Sequence, residues 1–242
     1  EIIDPEKRKE NLKTAFKTSH VYFIDEFGKQ FLYGEYIIDY TKYNLPVYVN
    51  SLSDNKISGK SLAIEILKDW FLKPSTPLVV VKGHGGIGKT TLVKQFLDNI
   101  HETITDAGLL FIESNDIINE IDRLAKTNSK IDDIYDFYLA QTKTNQAKSG
   151  FIDKSFSRDL LQLSVDNGSV IIVLDGIDEV IAKLGSKFDV RSFIESISTK
   201  YASNLEKTKI IITCRDYFWD KISANENILQ ISLRPFIEEL AR

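Results

Sequence analysis

Residues 83–91 read Gly-His-Gly-Gly-Ile-Gly-Lys-Thr-Thr, which satisfies the spacing Gly-x-x-x-x-Gly-Lys-Ser/Thr of a phosphate-binding loop. Glycine tolerates the backbone angles that a loop needs in order to surround an anion with its own N–H groups. A short apolar run, 78–82, comes directly before the loop, and apolar residues recur at helical spacing over 89–100. The segment therefore predicts a strand, a loop and a helix whose N-terminus is directed at a phosphate.

Two side chains of this loop have expected roles toward a nucleotide. Lys89 would place a flexible cation on the β- and γ-phosphates, and Thr90 would offer its hydroxyl to Mg²⁺. His84 lies where the motif accepts any residue, so we interpret it as a loop side chain near solvent, with a nucleotide contact as the alternative. The expected nucleotide-binding residues are Gly83, His84, Gly85, Gly86, Ile87, Gly88, Lys89, Thr90 and Thr91.

A second motif is an apolar run that ends in acidic residues, Val-Ile-Ile-Val-Leu-Asp-Gly-Ile-Asp-Glu at 170–179. A strand that ends in a carboxylate beside the first strand suits a P-loop protein, because Asp175 would reach the water shell of Mg²⁺ opposite Thr90. Asp178 and Glu179 follow where a carboxylate orients or deprotonates an attacking water. The alternative is a polar strand exit without function, and the phosphate loop upstream argues against it.

A third apolar run, 209–213, is followed by Cys-Arg-Asp. If this strand neighbours the strand before the loop, Arg215 comes near the γ-phosphate and distinguishes a triphosphate from a diphosphate by charge-assisted hydrogen bonds. The alternative is a surface ion pair between Arg215 and Asp216. Cys214 is interpreted as a small buried apolar residue. The expected catalytic residues are Lys89, Asp178, Glu179 and Arg215, and the expected metal-binding residues are Thr90 and Asp175.

Strand and helix patterns alternate through the rest of the chain, which is typical of an α/β fold with a parallel sheet covered on both faces. We predict a P-loop NTPase fold, a three-layer sandwich with a five-stranded, mostly parallel sheet, and the resemblance described below implies that it is of the AAA+/STAND kind. A polar stretch without clean periodicity, 127–150, is interpreted as a partly helical insertion. The predicted strands are 78–82, 108–113, 169–174, 209–213 and 228–233, and the predicted helices are 61–72, 89–100, 115–126, 155–166 and 190–205.

Composition narrows the class of function. The chain carries 31 Lys and Arg against 35 Asp and Glu, a net charge of −4, which argues against wholesale electrostatic capture of nucleic acid but allows one local anion site. The apolar runs are far shorter than the roughly 20 residues of a membrane helix, so we expect a cytoplasmic protein. Adenine is favoured over guanine as the base, because the guanine-reading sequence Asn-Lys-x-Asp is absent.

Taken in order, the three motifs resemble the NACHT branch of the STAND NTPases, which are signal-transduction ATPases related to the AAA+ group. The segments that carry the resemblance are 83–92, 174–179 and 211–215. The small residue after the Mg²⁺ carboxylate, followed by acidic residues three and four positions on, is the spelling that distinguishes the family. The resemblance implies a phosphate loop of Gly83, Gly85, Gly86, Gly88, Lys89, Thr90 and Thr91, a Mg²⁺ carboxylate at Asp175, hydrolytic acids at Asp178 and Glu179, and a first sensor at Arg215.

The same resemblance implies a switch that binds ATP or ADP with Mg²⁺ and hydrolyses ATP slowly. Members assemble with sister chains when ATP is bound, and many act in antiviral or innate defence. They respond to a ligand sensed by a C-terminal region, and this chain ends before that region, the helical lid and the winged helix. A non-hydrolysing adaptor with structural ADP is the alternative, and a DNA-processing AAA+ ATPase is a weaker one.

We therefore assign residues 46–242 to a nucleotide-binding domain. Residues 1–45 are expected to form a leader, either a hairpin around 26–29 or a linker to an effector domain. The chain contains no Met and opens at Glu1, which suggests a processed chain or a piece of a longer protein.

Overall fold

A computed structural model describes residues 22–23, 48–51, 61–73, 76–100, 107–127, 130–149, 156–201, 207–222 and 228–233. Within these ranges the chain forms a sheet with helices on both faces. The leader hairpin predicted around 26–29 lies outside the described residues.

Five parallel strands form the centre of the sheet. Among the described residues the whole sheet contains eight strands: β1 Tyr22–Phe23, β2 Tyr48–Ser51, β3 Ser61–Leu62, β4 Leu78–Lys82, β5 Gly108–Glu113, β6 Val170–Asp175, β7 Ile210–Cys214 and β8 Ile228–Leu233. Their order across the sheet is β1-β5-β6-β7-β4-β8-β2-β3. The five parallel strands are β5, β6, β7, β4 and β8. The short strands β1, β2 and β3 pair in antiparallel fashion at the two edges of the sheet.

The helices divide between the two faces of this sheet. They are α1 Ala63–Leu72, α2 Lys89–Ile100, α3 Ser114–Thr127, α4 Ile134–Ser149, α5 Arg158–Asp166, α6 Ile177–Leu184, α7 Val190–Lys200 and the short α8 Asp216–Trp219. Buried residues of α1 and α2 pack on one face, and buried residues of α3 to α7 pack on the other. The arrangement is a three-layer sandwich, as the sequence predicts.

Alternation along the strands explains why both layers form. In β4, Val79 and Val81 belong to the core beneath α1 and α2, while Leu78 and Val80 belong to the core on the opposite face. Successive side chains of a strand point to opposite faces, so a strand that is apolar throughout needs a helical layer on each side. Because all five residues of β4 are buried, the loop that follows starts from a fixed point in the middle of the sheet.

The predicted strands are confirmed, three of them with the predicted bounds. β4, β5 and β8 begin and end where expected, while β6 and β7 each lie one residue further along the chain than predicted. The predicted helices also form, and α5 begins at Arg158 because Ser157 caps its N-terminus and accepts a hydrogen bond from the Leu160 N–H. The fold is the predicted P-loop NTPase sandwich.

The expectation that 127–150 is partly helical is confirmed, and its interpretation as an insertion stays a prediction. Most of this stretch is α4, and its first half contributes to the core through Ile134, Phe137, Tyr138 and Ala140. Its second half carries mainly polar residues, which hides the helical period when the whole stretch is considered.

The expectation that the acidic strand lies beside the strand before the loop is wrong. The acidic strand β6 does not lie beside the strand that precedes the loop, because β7 lies between them and pairs with both. Parallel strands that follow one another in the chain need not be neighbours in the sheet. The local sequence pattern does not indicate which strand lies between two others. This order places the end of β7 between the phosphate loop and the acidic residues.

Candidate nucleotide-binding site

The phosphate loop leaves β4 at the carboxyl end of the parallel strands, where ligands bind in open α/β sheets. Gly86 and Gly88 have φ angles of +76° and +98°, which side chains with a Cβ rarely adopt. Gly83 is confined by space, since a Cβ there would lie 3.0 Å from Ile87 Cγ2. Gly83, Gly86 and Gly88 are therefore needed for the shape of the loop itself.

Lys89, the first residue of α2, is directed back across the loop. Its Nζ donates hydrogen bonds to the carbonyl oxygens of Gly83 and His84, at 2.9 and 2.8 Å. Burial lowers the pKa of this ammonium, while the nearby Asp178 carboxylate acts in the opposite direction. A lysine ammonium carries three donors, so the position held over the loop suits a cation that also contacts a phosphate oxygen.

Thr90 and Asp175 meet although they are 85 positions apart in the chain. The Thr90 hydroxyl lies 3.1 Å from Asp175 Oδ1 and 2.8 Å from Asp175 Oδ2. The two predicted metal-binding residues are thus brought together at the N-terminus of α2. A hydroxyl beside one carboxylate is a donor set that suits Mg²⁺, which keeps most of its ligands as waters and phosphate oxygens.

Sequence reasoning missed Thr213, which also contacts Asp175. Its Oγ1 lies 2.6 Å from Asp175 Oδ1, and the Gly176 N–H donates to the same Oγ1 at 2.8 Å. Thr213 lies two residues before the predicted sensor Arg215. This position near a predicted strand end is the sequence signal that could have indicated it. The residue is 1% exposed.

Arg215 contacts Asp178 twice. Its Nε lies 3.0 Å from Asp178 Oδ2, and its backbone N–H donates to Asp178 Oδ1 at 3.2 Å. The Asp178 side chain is 5% exposed, whereas the Arg215 side chain is 52% exposed and lies against the loop, 3.8 Å from the position that a Cβ on Gly85 would take. The guanidinium therefore connects a buried acid to the mouth of the phosphate loop.

Glu179 is held by an amide that the sequence did not single out. Asn115, the second residue of α3, donates from Nδ2 to Glu179 Oε1 at 2.9 Å. Glu179 Oε2 is buried and has no hydrogen-bond partner among the described residues. Burial and the neighbouring Asp178 carboxylate raise the pKa of Glu179, and the Asn115 hydrogen bond opposes that rise. A carboxylate with a raised pKa and one unpaired oxygen is suited to accept a proton.

Two acids that follow Arg215 contact the loop and the strand that precedes it. Asp216 lies 3.6 Å from His84 Nδ1, and Asp220 forms an ion pair with the buried Lys82 at the end of β4. The partner that the structure gives Arg215 is Asp178 and not Asp216, so the surface-pair alternative does not describe it. His84 itself is 74% exposed, as expected of a loop side chain.

Cys214 is buried as predicted, and burial raises the pKa of its thiol to about 12. A thiol in this environment stays protonated and is not a nucleophile near neutral pH. The described residues contain no group of three or more His, Cys, Asp or Glu side chains placed to hold a metal ion. Mg²⁺ is usually held by one or two carboxylates together with waters and substrate phosphates, and Thr90 and Asp175 suit that mode of binding.

In this parallel sheet the buried inner strand β4 ends in the glycine loop, and Thr90 of the helix that follows contacts Asp175 at the end of β6, two strands away. This arrangement defines the class of P-loop NTPases. The sequence profile of a family described as "Nephrocystin 3, N-terminal" matches residues 61–215. Since this match covers more than half of the chain, the chain belongs to that family.

Solved structures match the chain at low sequence identity. A Walker-type ATPase of Pyrococcus abyssi matches with 15% identity and a TM-score of 0.40, over 73% of this chain and 53% of its own. Cdc6p of Pyrobaculum aerophilum matches with 12% identity and a TM-score of 0.40, over 80% of this chain and 52% of its own. The ORC2 protein of Aeropyrum pernix, solved as ADPNP–ADP complexes, matches with 13% identity and a TM-score of 0.39, over 76% and 52%.

The chain thus spans about half the length of the solved structures that it matches. No curated protein sequence matches it. In the described part of the chain, no helix combines the length and the apolar character needed to cross a membrane.

Proposed function

We propose that this chain binds ATP with Mg²⁺ at the loop Gly83–Thr91 and hydrolyses it slowly. The observation that carries the proposal is the contact between the Thr90 hydroxyl and both oxygens of Asp175, beside the Lys89 ammonium that crosses the loop. In the proposed complex, Lys89 and the loop N–H groups bind the phosphates, and Thr90 and Asp175 hold the hydrated ion. Mg²⁺ would neutralise charge that develops on the phosphates.

Glu179 is the proposed base for the attacking water. Its Oε2 has no hydrogen-bond partner among the described residues, and its raised pKa favours proton uptake. Asp178 is the proposed anchor of Arg215, since it accepts from both the backbone and the side chain of that residue. Arg215 in turn would detect the γ-phosphate with its remaining N–H donors.

Slow hydrolysis is expected because both acids already have partners. Asp178 is engaged by Arg215, and Glu179 by Asn115. Of the four oxygens of these two acids, only Glu179 Oε2 is left without a partner among the described residues, so a single oxygen has to accept the proton of the attacking water. The same observation favours the second candidate, a binding module that retains ADP and does not hydrolyse ATP.

The wider role is proposed from the resemblance to the NACHT branch of the STAND NTPases. In this account the chain is the switch module of a signalling ATPase, and ATP drives its assembly with sister chains. A triggering ligand sensed elsewhere in the protein and an output in antiviral or innate defence complete the proposal. The three motifs and their order along the chain support it.

Extraction of bound nucleotide from the purified chain, followed by measurement of phosphate release over hours, tests the proposal. We expect ADP or ATP in the extract, slow phosphate release from added MgATP, and loss of that release in the double variant Asp178→Asn, Glu179→Gln, which should still bind ATP. Bound ADP without any release would favour the second candidate. Equal release by the wild type and the double variant would remove these acids from the mechanism.

A further inference from the structure

Thr213 lies between two polar groups that belong to the same strand end. The Gly176 N–H donates to its Oγ1 at 2.8 Å, and the same Oγ1 lies 2.6 Å from Asp175 Oδ1. Asp175 is the last residue of β6, while Thr213 is the fourth of five residues in the neighbouring strand β7. The contact forms one position beyond the paired residues Leu174 and Ile212.

The direction of the hydrogen bonds around Thr213 is fixed. A backbone N–H can only donate, so the Thr213 oxygen accepts from Gly176 and its own proton is directed at Asp175. Gly176 has a φ of +76°, which turns the chain sharply after Asp175 and presents this N–H to β7. The hydroxyl therefore donates its proton to Asp175 and stabilises the ionised form of that carboxylate.

This arrangement leaves the two oxygens of Asp175 unequal. Oδ1 accepts the short hydrogen bond from Thr213, and Oδ2 is the oxygen nearer to Thr90, at 2.8 Å compared with 3.1 Å for Oδ1. Alternation along β6 and β7 places Asp175 and Thr213 on the face that α2 covers, because Val173 and Ile211, two positions earlier in each strand, belong to that core. The carboxylate is thus held from β7 and faces the N-terminus of α2.

We propose that Thr213 is a positioning residue for the Mg²⁺ carboxylate. By holding Oδ1, it fixes the rotation of the Asp175 side chain so that Oδ2 faces Thr90, the residue with which Asp175 would hold the hydrated ion. The inference rests on the proposed binding of nucleotide with Mg²⁺ at this loop. Because both hydrogen bonds of Thr213 go to Asp175 and Gly176, its hydroxyl acts on the binding of the metal and not on the loop that receives the phosphates.

A purely structural role for Thr213 predicts a different effect of its loss on nucleotide binding. If the hydroxyl only joined β6 to β7, its loss would disturb the whole strand end, including Arg215, and nucleotide would bind less well with or without metal. A positioning role predicts a loss that is confined to the effect of Mg²⁺. The two roles therefore separate in a titration that measures both conditions.

The experiment compares Thr213→Ser with Thr213→Ala, two variants that lack the γ-methyl group and differ by the single hydroxyl. Binding of a fluorescent, ribose-labelled ATP to the full chain is measured in EDTA and then as Mg²⁺ is added. We expect the metal-free affinities of both variants to agree with the wild type within about twofold. The Mg²⁺ concentration for the half-maximal effect should be about tenfold higher in Thr213→Ala than in Thr213→Ser, as the loss of one charge-assisted hydrogen bond implies.

Equal Mg²⁺ dependence in the two variants would overturn the inference, and so would an equal loss of affinity in EDTA and in Mg²⁺. If Thr213→Ala does not fold, Thr213→Val, which keeps the volume of the side chain, takes its place. Failure of both hydroxyl-free variants to fold beside a folded Thr213→Ser would show that the hydroxyl is structural and would also overturn the inference. A wild type that binds no ATP in either condition would instead refute the proposed function on which the inference rests.

Discussion

Arg215 and Asp178 are joined by two contacts, from the backbone N–H to Oδ1 at 3.2 Å and from Nε to Oδ2 at 3.0 Å. The acid is buried and the guanidinium is half exposed beside the phosphate loop. A cation that is anchored on one side and open on the other is suited to detect the charge of a third phosphate.

We therefore predict that Arg215→Ala lowers the preference for ATP over ADP. One charge-assisted contact to the γ-phosphate implies a fall of about tenfold in the ratio of the two dissociation constants. Titrations of both nucleotides measure this ratio, with Arg123→Ala as a control because Arg123 pairs with Glu120 on the exposed side of α3. An unchanged ratio in Arg215→Ala would contradict the sensor role.

Asn115→Ala should shift the pH dependence of hydrolysis. The Asn115 amide stabilises the ionised form of Glu179, so its removal raises the pKa of that carboxyl further above its ordinary value. Since the base must be ionised, the acidic limb of the pH–rate profile should move to higher pH. Asn99→Ala, at the exposed end of α2, is the matched control. A limb that stays in place would remove Glu179 as the titrating base.

The sequence predicts much of this site because its motifs are local. Lys89 and Thr90 follow from the loop, and the acidic run that contains Asp175 and Asp178 directly follows a buried strand. Their meeting follows from a general property of parallel strands, whose carboxyl ends share one edge of the sheet.

Thr213 and Asn115 could not be found in the same way. Thr213 reaches Asp175 because β7 is inserted between β4 and β6, and Asn115 reaches Glu179 because β5 pairs with β6 in a register that sets Glu113 opposite Asp175. Strand order and register are long-range properties, and a threonine or asparagine near a strand end has no distinctive local pattern. The bounds of α4 could not be predicted within the partly helical stretch 127–150, because only the first half of the helix carries the apolar residues that bury it.

Two glycines of the loop should respond differently to alanine. Gly88 has a φ of +98°, so Gly88→Ala strains the backbone by about 1–2 kcal/mol and should weaken ATP binding by roughly fivefold to thirtyfold. Gly85 is not among the glycines with positive φ, and a Cβ there would meet Arg215 at 3.8 Å, an ordinary contact. Gly85→Ala should therefore remain within about threefold of the wild type. Calorimetric titration of ATP into the two variants measures the losses of affinity. A larger loss in Gly85→Ala than in Gly88→Ala would refute the strain argument.

Stability should depend on a buried carboxylate far from the loop. Asp133 is fully buried and accepts hydrogen bonds from Arg158, Lys200 and the Tyr201 hydroxyl, which join α4, α5 and α7. Asp133→Asn should lower the free energy of unfolding by about 2–4 kcal/mol, near the lower end for a broken buried pair because both cations are half exposed. Urea unfolding measures the change, with the exposed neighbour Asp132→Asn as control.

The pH dependence of this stabilisation has a definite sign. Burial would raise the pKa of Asp133, but the hydrogen bond from Tyr201 and those from Tyr135 and Lys200 lower it below its ordinary value of 3.8. The stabilisation is therefore fully present above the unfolded pKa and is lost as the pH falls toward the folded pKa. The difference in stability between the wild type and Asp133→Asn should shrink below about pH 4. A difference that persists unchanged in acid would contradict this origin.

The central claim is that the loop after β4 binds ATP through Lys89, and calorimetric titration of MgATP tests it most directly. Lys89→Ala removes the ammonium that crosses the loop, whereas Lys126→Ala removes an exposed lysine that pairs with Asp122 on α3. We predict that the wild type and Lys126→Ala bind with equal affinity and that Lys89→Ala binds at least about thirtyfold more weakly. Equal affinity of Lys89→Ala and the wild type would contradict the account.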